Sequence, residues 1–220
     1  MAVKTVNVNE DILGANDVIA ENLRTRFTEA GVFVVNLMSS PGAGKTSMVL
    51  LTIRALAGTH KIGVIEGDLA SDVDAQAIAK TGVDVVQINT SGACHLDANM
   101  IRSAADKLGL EGKKLIIIEN VGNLVCPAEF KVGEDVKVMI LSIPEGHDKP
   151  LKYPLMFTES DALILNKTDL LPYTDFDVEL LRKTVLAMNP KMEIFPVSAK
   201  TGEGVELFVK WLDKMINGKH

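Results

Sequence analysis

The sequence predicts an α/β fold built on a mostly parallel sheet with helices on both faces. Short apolar runs alternate with helical stretches along the chain, which is typical of strand–helix–strand units. Several runs, such as residues 115–118, are continuously apolar, as in strands covered on both faces. One run leads into a glycine-containing loop and then a helix start, which indicates a phosphate-binding turn.

The alternation sets the expected order of the elements. Strands are predicted at about 32–38, 62–66, 85–88, 115–119, 136–142, 162–166 and 193–197. Helices are predicted near 15–30, 45–58, 72–81, 97–108, 176–188 and 204–216. Since no repeat or long linker divides the chain, we expect an N-terminal helical segment, 1–30, packed on one domain of residues 31–220.

The segment from Ser39 to Thr46, Ser-Ser-Pro-Gly-Ala-Gly-Lys-Thr, has the form of a P-loop, although the strict pattern has glycine in place of Ser39. Lys45 is expected to reach the β- and γ-phosphates, and the Thr46 hydroxyl to bind Mg²⁺. The alternative is an ordinary glycine turn, which the strand before it and the helix after it disfavour. The candidate nucleotide-binding residues are Gly42, Ala43, Gly44, Lys45, Thr46 and Ser47. The predicted fold is therefore that of a P-loop NTPase.

A second motif indicates the base. The apolar run 162–165 ends in Asn166-Lys-Thr-Asp169, the pattern of a guanine-reading loop. The Asp169 carboxylate can accept from the guanine N1–H and the exocyclic amine together, which adenine cannot match. Lys167 is expected to lie over the base and Asn166 to tie neighbouring loops. The segment Ser198-Ala199-Lys200 completes the predicted base site. Its Ala199 backbone N–H is expected to donate a hydrogen bond to the guanine O6.

A third motif indicates a magnesium site. The strand at 115–119 ends in Glu119-Asn-Val-Gly122, which resembles the Asp-x-x-Gly of GTPases, with Gly122 facing the γ-phosphate. We expect Asp68 and Glu119 to hold Mg²⁺ with the Thr46 hydroxyl, and Asp74 to orient the attacking water. The alternative for Asp74 is a charge that complements a helix dipole. The predicted catalytic residues are Lys45, Asp68, Asp74 and Glu119.

Two cysteines follow two of the predicted strands. Cys94 is followed directly by His95, and Cys126 lies seven residues beyond the Glu119 strand end. Because the carboxyl ends of parallel strands share one edge of the sheet, both thiols are expected on the nucleotide side. Thiolate and imidazole ligands suit Zn²⁺ or Ni²⁺ and not Mg²⁺. A disulfide and a pair of buried, inert cysteines remain the alternatives.

Composition excludes several classes of protein. The net charge of −6 argues against nucleic acid or an anionic membrane as the main partner. No apolar run approaches the length of about 18 residues that a membrane span needs. No signal peptide is recognised, so we expect a cytoplasmic protein.

Further segments make the resemblance specific. They are Cys94-His-Leu-Asp-Ala98, Glu119-Asn-Val-Gly-Asn-Leu-Val-Cys-Pro-Ala-Glu-Phe130 and Glu145-Gly-His-Asp-Lys-Pro-Leu-Lys-Tyr-Pro154. Together with the P-loop and the guanine loop, they resemble the HypB family, GTPase accessory proteins for nickel insertion into [NiFe]-hydrogenase. The match extends over nearly the whole chain from about residue 12.

The resemblance implies a Mg²⁺-dependent GTPase of the signal-recognition/MinD-like class that forms a homodimer when GTP is bound. It also implies a nickel or zinc site at the dimer interface, with Cys94, His95 and Cys126 as ligands. The implied partners are a second hydrogenase accessory protein and the hydrogenase large subunit. Because no arginine stands beside the motifs, we expect slow intrinsic turnover.

Other functions stay open at the level of sequence. A urease-type nickel chaperone is one, although its Cys-Pro-His pattern is replaced here by Cys126-Pro-Ala128. A GTP-sensing module without metal delivery is another. A nucleotide kinase is disfavoured because the chain has no arginine-rich cluster for an acceptor lid.

Overall fold

The computed structural model describes residues 8–68 and 72–219. Within these ranges the strands are β1 (Phe33–Ser39), β2 (Ile62–Asp68), β3 (Asp84–Asn89), β4 (Leu115–Glu119), β5 (Val136–Ser142), β6 (Ala162–Asn166) and β7 (Glu193–Pro196). The helices are α1 (Val8–Glu29), α2 (Lys45–Leu56), α3 (Val73–Ala79), α4 (Ala98–Leu108), α5 (Cys126–Glu129), α6 (Lys149–Lys152), α7 (Pro154–Thr158), α8 (Val178–Met188) and α9 (Val205–Asn217). Two 3₁₀ turns span Ile143–Glu145 and Thr168–Tyr173.

The seven strands form one sheet in the order β3-β2-β4-β1-β5-β6-β7. Each pairing between neighbours is parallel, so the prediction of a mostly parallel sheet is confirmed. The loops that follow β1, β2 and β4 therefore lie side by side at one edge of the sheet. This topology brings the P-loop, the acidic segment after β2 and the segment after Glu119 together.

Helices cover both faces of the sheet because successive side chains of a strand point to opposite sides. On one face, Val35 and Leu37 of β1 pack in a core cluster with residues of α2, α3 and α9. On the other face, Val34 packs with residues of α1 and α4. Met38 continues that second face into a cluster with residues of α7 and α8.

Helix α1 packs on this second face. Its side chains Leu23 and Phe27 are buried, and the helix lies against α4. The helix begins at Val8, earlier than the predicted residue 15, and Gly14 lies inside it. Glycine in an exposed helix costs about 1 kcal/mol relative to alanine, which the packing of α1 offsets. The division of the chain at residue 30 stays a prediction.

The proline-rich segment after β5 forms short helices that the sequence pattern did not predict. Pro144, Pro150 and Pro154 stand in the first turn of the 3₁₀ turn, α6 and α7, respectively. Proline suits a first helical position because its φ is already helical and its missing N–H would have no partner there. These prolines therefore stand at the starts of short helical turns after β5.

Across the described ranges, no helix is both long enough and apolar enough to cross a membrane.

Candidate nucleotide and metal sites

The P-loop lies between the end of β1 and the start of α2. Gly42 and Gly44 have φ angles of 74° and 105°, which favour glycine, and Ala43 is buried beneath the loop. The loop forms one wall of a cavity of about 440 Å³. Five of the six predicted P-loop residues line this cavity: Gly42, Gly44, Lys45, Thr46 and Ser47.

Ser39, which replaces a glycine of the strict pattern, fits the loop. It is fully buried, and its hydroxyl donates to the Ser40 carbonyl at 2.6 Å. The Ser39 hydroxyl oxygen also accepts a hydrogen bond from Lys45 Nζ at 3.0 Å. Burial lowers the pKa of Lys45, and the nearby carboxylates, Glu119 foremost, oppose that shift. Lys45 is thus held at the cavity by a serine hydroxyl.

The sequence analysis did not predict a hydrogen bond that ties the P-loop to the turn after β5. The Ser40 hydroxyl donates to the Glu145 carboxylate. Glu145 also accepts from the backbone N–H and the hydroxyl of Ser142, at 2.7 and 2.8 Å. The Ser-x-x-Glu spacing of Ser142 and Glu145 could have predicted this capping box from the sequence. The 3₁₀ turn after β5 is therefore tied directly to the P-loop.

The predicted magnesium ligands meet at the cavity. The Thr46 hydroxyl donates to Glu119 Oε1 at 2.8 Å, and Glu119 Oε2 is buried without a hydrogen-bond partner. Desolvation by burial raises the pKa of Glu119 to about 7. Asp68 and Asp74 also line the cavity. Hydroxyl and carboxylate oxygens are the donors that Mg²⁺ prefers, and an orphaned buried oxygen fits a bound cation.

Glu66 is a further carboxylate that lines this cavity, and it was not among the predicted site residues. Its ligand oxygen lies within 4.8 Å of those of Asp68 and Asp74. The side chain is only 2% exposed, and its Oε2 has no hydrogen-bond partner. Burial, followed by repulsion from Glu119, raises the pKa of Glu66 to about 8. The sequence could have indicated Glu66, because it lies two residues before Asp68 and therefore on the same face of β2.

Gly122 lies opposite the P-loop, while its contact with the γ-phosphate stays a prediction. A Cβ at this position would lie 3.0 Å from Pro41. Gly122 also lines the cavity. The glycine therefore permits a close approach of the β4 exit to the P-loop.

The guanine-type loop is joined to the P-loop by Asn166. Its Nδ2 donates to the Ala43 carbonyl at 2.8 Å, and its Oδ1 accepts from the Ala199 backbone N–H at 3.0 Å. Lys167 adopts a left-handed conformation, with φ of 63°, and its Nζ donates to the Gly42 carbonyl at 2.7 Å. The predicted tie between neighbouring loops is therefore present in the structure.

The remaining residues of the predicted base site lie close by. The Ser198 hydroxyl donates to Asp169 Oδ1 at 2.7 Å and accepts from the Thr201 backbone N–H at 3.2 Å. Lys200 is exposed in the turn that follows Ala199. The Asp169 carboxylate is thereby oriented by a buried hydroxyl, while its role in reading guanine stays a prediction.

The predicted soft-metal ligands form a cluster. The ligand atoms of Cys94, His95 and Cys126 all lie within 4.8 Å of one another. The two sulfur atoms are 3.2 Å apart, and Cys94 Sγ lies 3.7 Å from His95 Nδ1. Both cysteines are free thiols, Cys94 exposed and Cys126 partly exposed, which contradicts the alternatives of a disulfide and of buried, inert cysteines.

The surroundings of this cluster tune its ligands. Desolvation raises the pKa of Cys126, and the neighbouring Cys94 thiol adds to the effect. Burial lowers the pKa of His95, whose ring is tilted by 37° against that of Phe130, with the ring centroids 4.0 Å apart. A neutral imidazole keeps the lone pair that a metal needs. The set has the donor chemistry of a nickel or zinc site.

The fold and these loops define a class: a P-loop nucleotide-binding protein with an Asn-Lys-x-Asp loop and a second cluster of soft ligands. The family model described as CobW/HypB/UreG, nucleotide-binding domain, matches residues 33–196. The chain belongs to this family and, within it, to the hydrogenase maturation factor HypB proteins. The resemblance inferred from the motifs is confirmed.

Curated relatives match over most of the chain. Hydrogenase maturation factor HypB of Azotobacter vinelandii is 51% identical over 212 residues, which is 96% of this chain and 70% of the relative. The Escherichia coli K12 protein of the same name is 46% identical over 210 residues, 96% of this chain and 72% of the relative. Hydrogenase/urease maturation factor HypB of Helicobacter pylori is 41% identical over 216 residues, 96% of this chain and 88% of the relative.

Solved structures agree with this membership. HypB from Helicobacter pylori, in complex with nickel, superposes with a TM-score of 0.88 at 40% identity, covering 93% of this chain and 96% of that one. HypB from Archaeoglobus fulgidus gives a TM-score of 0.86 at 34% identity, covering 92% and 99%. The signal recognition particle receptor FtsY of Elizabethkingia anophelis, with a TM-score of 0.55 at 16% identity, shares the fold alone.

Proposed function

We propose that this protein is a Mg²⁺-dependent GTPase that binds nickel and uses the state of its nucleotide to control nickel delivery during [NiFe]-hydrogenase maturation. The observation that carries the proposal is the clustering of Cys94, His95 and Cys126 beside the β4 exit that also holds Glu119. HypB membership supports the same reading, since its relatives bear the name hydrogenase maturation factor.

The nucleotide half of the proposal rests on the cavity at the P-loop. Lys45 and the backbone N–H groups of the loop bind the phosphates. Magnesium, when bound, would be held by Thr46, Asp68 and Glu119 and would neutralise charge on the β- and γ-phosphates. Asp74, which lines the same cavity, orients the water that attacks the γ-phosphate. Asp169, in the loop that follows β6, binds the guanine base.

Slow hydrolysis is part of the proposal. Among the described residues that line the cavity, none is arginine. An arginine that neutralises transition-state charge is worth about 10³ to 10⁵ in rate in GTPases. Without one, we expect intrinsic turnover well below about one per second. A slow enzyme suits a switch, because the GTP state then lasts long enough to act.

The metal half of the proposal concerns cargo rather than a resident cofactor. Three ligands from one chain leave a tetrahedral site one donor short. A second copy of the chain, related by a two-fold axis, would complete the site. We propose that GTP favours this homodimer and that nickel, or zinc in competition with it, binds at its interface. A second accessory protein and the hydrogenase large subunit are the proposed partners.

Urease maturation is the second candidate function. It is favoured by the Helicobacter pylori relative, whose name covers both hydrogenase and urease. A complementation experiment separates the two. The chain, expressed in a Helicobacter pylori strain that lacks its own HypB, is expected to restore hydrogenase activity. Restoration of urease alone would favour the second function, and restoration of neither would contradict both.

The assignment of the two sites is tested by reciprocal variants. Cys126→Ala should weaken Ni²⁺ binding by about tenfold or more and leave the GTP affinity within about twofold. Asp169→Asn should damage GTP binding and leave Ni²⁺ binding by the nucleotide-free protein unchanged. Circular dichroism establishes that both variants are folded. Equal loss of both ligands in folded variants would contradict two separate sites.

A further inference from the structure

Two asparagines that follow Glu119 hold the loop that carries Cys94 and His95. Asn120 and Asn123 each form a side-chain hydrogen bond to the backbone of this loop, on either side of His95. Neither asparagine was a predicted site residue. Both lie on the same segment as Glu119 and Cys126, so they connect two strand exits that β2 separates in the sheet.

Asn120 forms the inner connection. Its side chain is fully buried, and its Oδ1 accepts from the Leu96 backbone N–H at 3.1 Å and from the Val121 backbone N–H at 2.9 Å. Its Nδ2 donates to Asn36 Oδ1, 3.2 Å away on β1. Asn120, the residue that directly follows Glu119, is therefore joined to the backbone next to His95.

Asn123 forms the outer connection. Its Nδ2 donates to the Cys94 carbonyl at 3.2 Å, and its Oδ1 accepts from the Val125 backbone N–H at 2.9 Å. One amide therefore fixes the residue that carries the first thiol and the residue that precedes the second. Gly122, the predicted γ-phosphate contact, is its neighbour in the chain.

The same loop also touches the acidic strand end. Leu96 is fully buried, and a Cβ built at Gly67 would lie 2.8 Å from its side chain. Gly67 lies between Glu66 and Asp68, both of which belong to the acidic cluster. The loop with Cys94 and His95 is therefore packed against β2 and hydrogen-bonded to the β4 exit, with no gap between them.

We propose that Asn120 and Asn123 form a clasp that makes the spacing of the nickel ligands depend on the nucleotide. They are positioning residues, since neither is proposed to touch nickel or nucleotide. When the γ-phosphate repositions Glu119 and Gly122, the clasp moves the backbone of Cys94 and Leu96 with them. This inference rests on the proposed GTP-controlled nickel site and names the contacts through which the control acts.

The clasp predicts a loss of coupling without a loss of either binding site. The quantity measured is the ratio of Ni²⁺ dissociation constants in the GDP state and in the state with Mg²⁺ and a non-hydrolysable GTP analogue. Ratios of about 5 to 150 are typical of coupled sites. Asn123→Ala removes one of the two connections and is expected to bring this ratio at least about threefold closer to one, while the dissociation constants for nucleotide alone stay within about twofold of wild type.

Asn189→Ala is the matched control. Asn189 Nδ2 also donates to backbone carbonyls, those of Phe157 and Ser160 at 3.1 and 2.8 Å, but it lies at the end of α8. This variant should keep the wild-type ratio. Asn120→Ala is measured as well, and Asn123, which is only half-buried, carries the test if the Asn120 variant does not fold.

The outcomes separate the clasp from the proposed function. The clasp is supported if the ratio of Ni²⁺ dissociation constants differs from one in the wild type, moves toward one in Asn123→Ala and is unchanged in Asn189→Ala. If Asn123→Ala keeps the same ratio as the wild type, the clasp is overturned and the proposed nucleotide control is not. A wild-type ratio of one overturns the proposed nucleotide control and the clasp together. Linkage supplies an internal check, because Ni²⁺ must change the ratio of the GDP and GTP-analogue dissociation constants by the same factor.

Discussion

Glu66 and Glu119 stand directly opposite each other in the register of the parallel strands β2 and β4. Partners in a parallel register project to the same side of the sheet, and both carboxyl groups are buried with one oxygen lacking a hydrogen-bond partner. Burial is the main cause of the raised pKa values, about 8 for Glu66 and about 7 for Glu119. Without ligands, Glu66 therefore keeps its proton at neutral pH, and Glu119 titrates close to neutral pH.

This pair predicts a pH dependence of stability. Between the ordinary pKa of 4.5 and about 8, the folded protein keeps a proton on Glu66 that the unfolded chain releases. The stability that this group contributes is therefore complete below pH 4.5 and is lost as the pH rises through about 8. Glu66→Gln, neutral at every pH, should raise the Tm of the ligand-free protein at pH 8 by roughly 5–15 °C and change it little at pH 5.

Thermal unfolding at the two pH values, without Mg²⁺ or nucleotide, measures this effect. Glu111→Gln, at an exposed position, is the control and should leave Tm unchanged at both. A Glu66→Gln variant less stable than wild type at pH 8 would contradict a raised pKa of Glu66 in the folded state.

Asp169→Asn is expected to change the preferred base. Loss of two charge-assisted hydrogen bonds to guanine should raise the Kd for GTP about 100-fold or more. An asparagine amide can instead donate to the carbonyl that xanthine carries at the position of the guanine amine. Titration with GTP, ATP and XTP checks this prediction. An unchanged GTP affinity, or a gain for ATP in place of XTP, would refute the assignment of this loop.

Gly44→Ala is expected to disrupt the P-loop without unfolding the protein. A Cβ at Gly44, where φ is 105°, would collide with the Asn166 side-chain amide. The nucleotide affinity should fall at least about tenfold, given a strain of about 1–3 kcal/mol. Gly82→Ala, also at a positive φ of 84° but with open space around it, should bind nucleotide normally. Equal affinities of the two variants would count against the collision.

Helix α1 is expected to contribute strongly to stability. Phe27→Ala removes a fully buried ring and should lower the free energy of unfolding by about 3–5 kcal/mol. Val18→Ala, on the same helix at a position 65% exposed, should change it by no more than about 0.5 kcal/mol. Denaturant titration measures both. Similar small effects would mean that α1 is not an integral part of the core.

The sequence predicts those parts of the fold that depend on neighbouring residues along the chain. Apolar runs of the right length gave the seven strands, and Gly-Lys-Thr after a strand indicated the P-loop because both signals are local. The proposed ligands Cys94 and Cys126 could be brought together from topology alone, since all strand ends share one edge.

The remainder depends on contacts between distant segments. The pairing of Glu66 with Glu119 follows from the register of two strands, which hydrophobic pattern does not specify for strands buried on both faces. The bonds of Asn120 to Leu96 and of Ser40 to Glu145 join residues 24 and 105 positions apart. No periodicity of the sequence reports such hydrogen bonds, and a structure is needed to find them.

The central claim is that the nucleotide controls nickel binding at Cys94, His95 and Cys126. Its most direct test is an anaerobic Ni²⁺ titration of the ligand-free, GDP-bound and GTP-analogue-bound protein, with molar mass followed by light scattering. The account predicts that Ni²⁺ affinity changes at least about fivefold with nucleotide and that the GTP analogue converts monomer to dimer. Weak Ni²⁺ binding that is the same in all three states, with no change in mass, would contradict it.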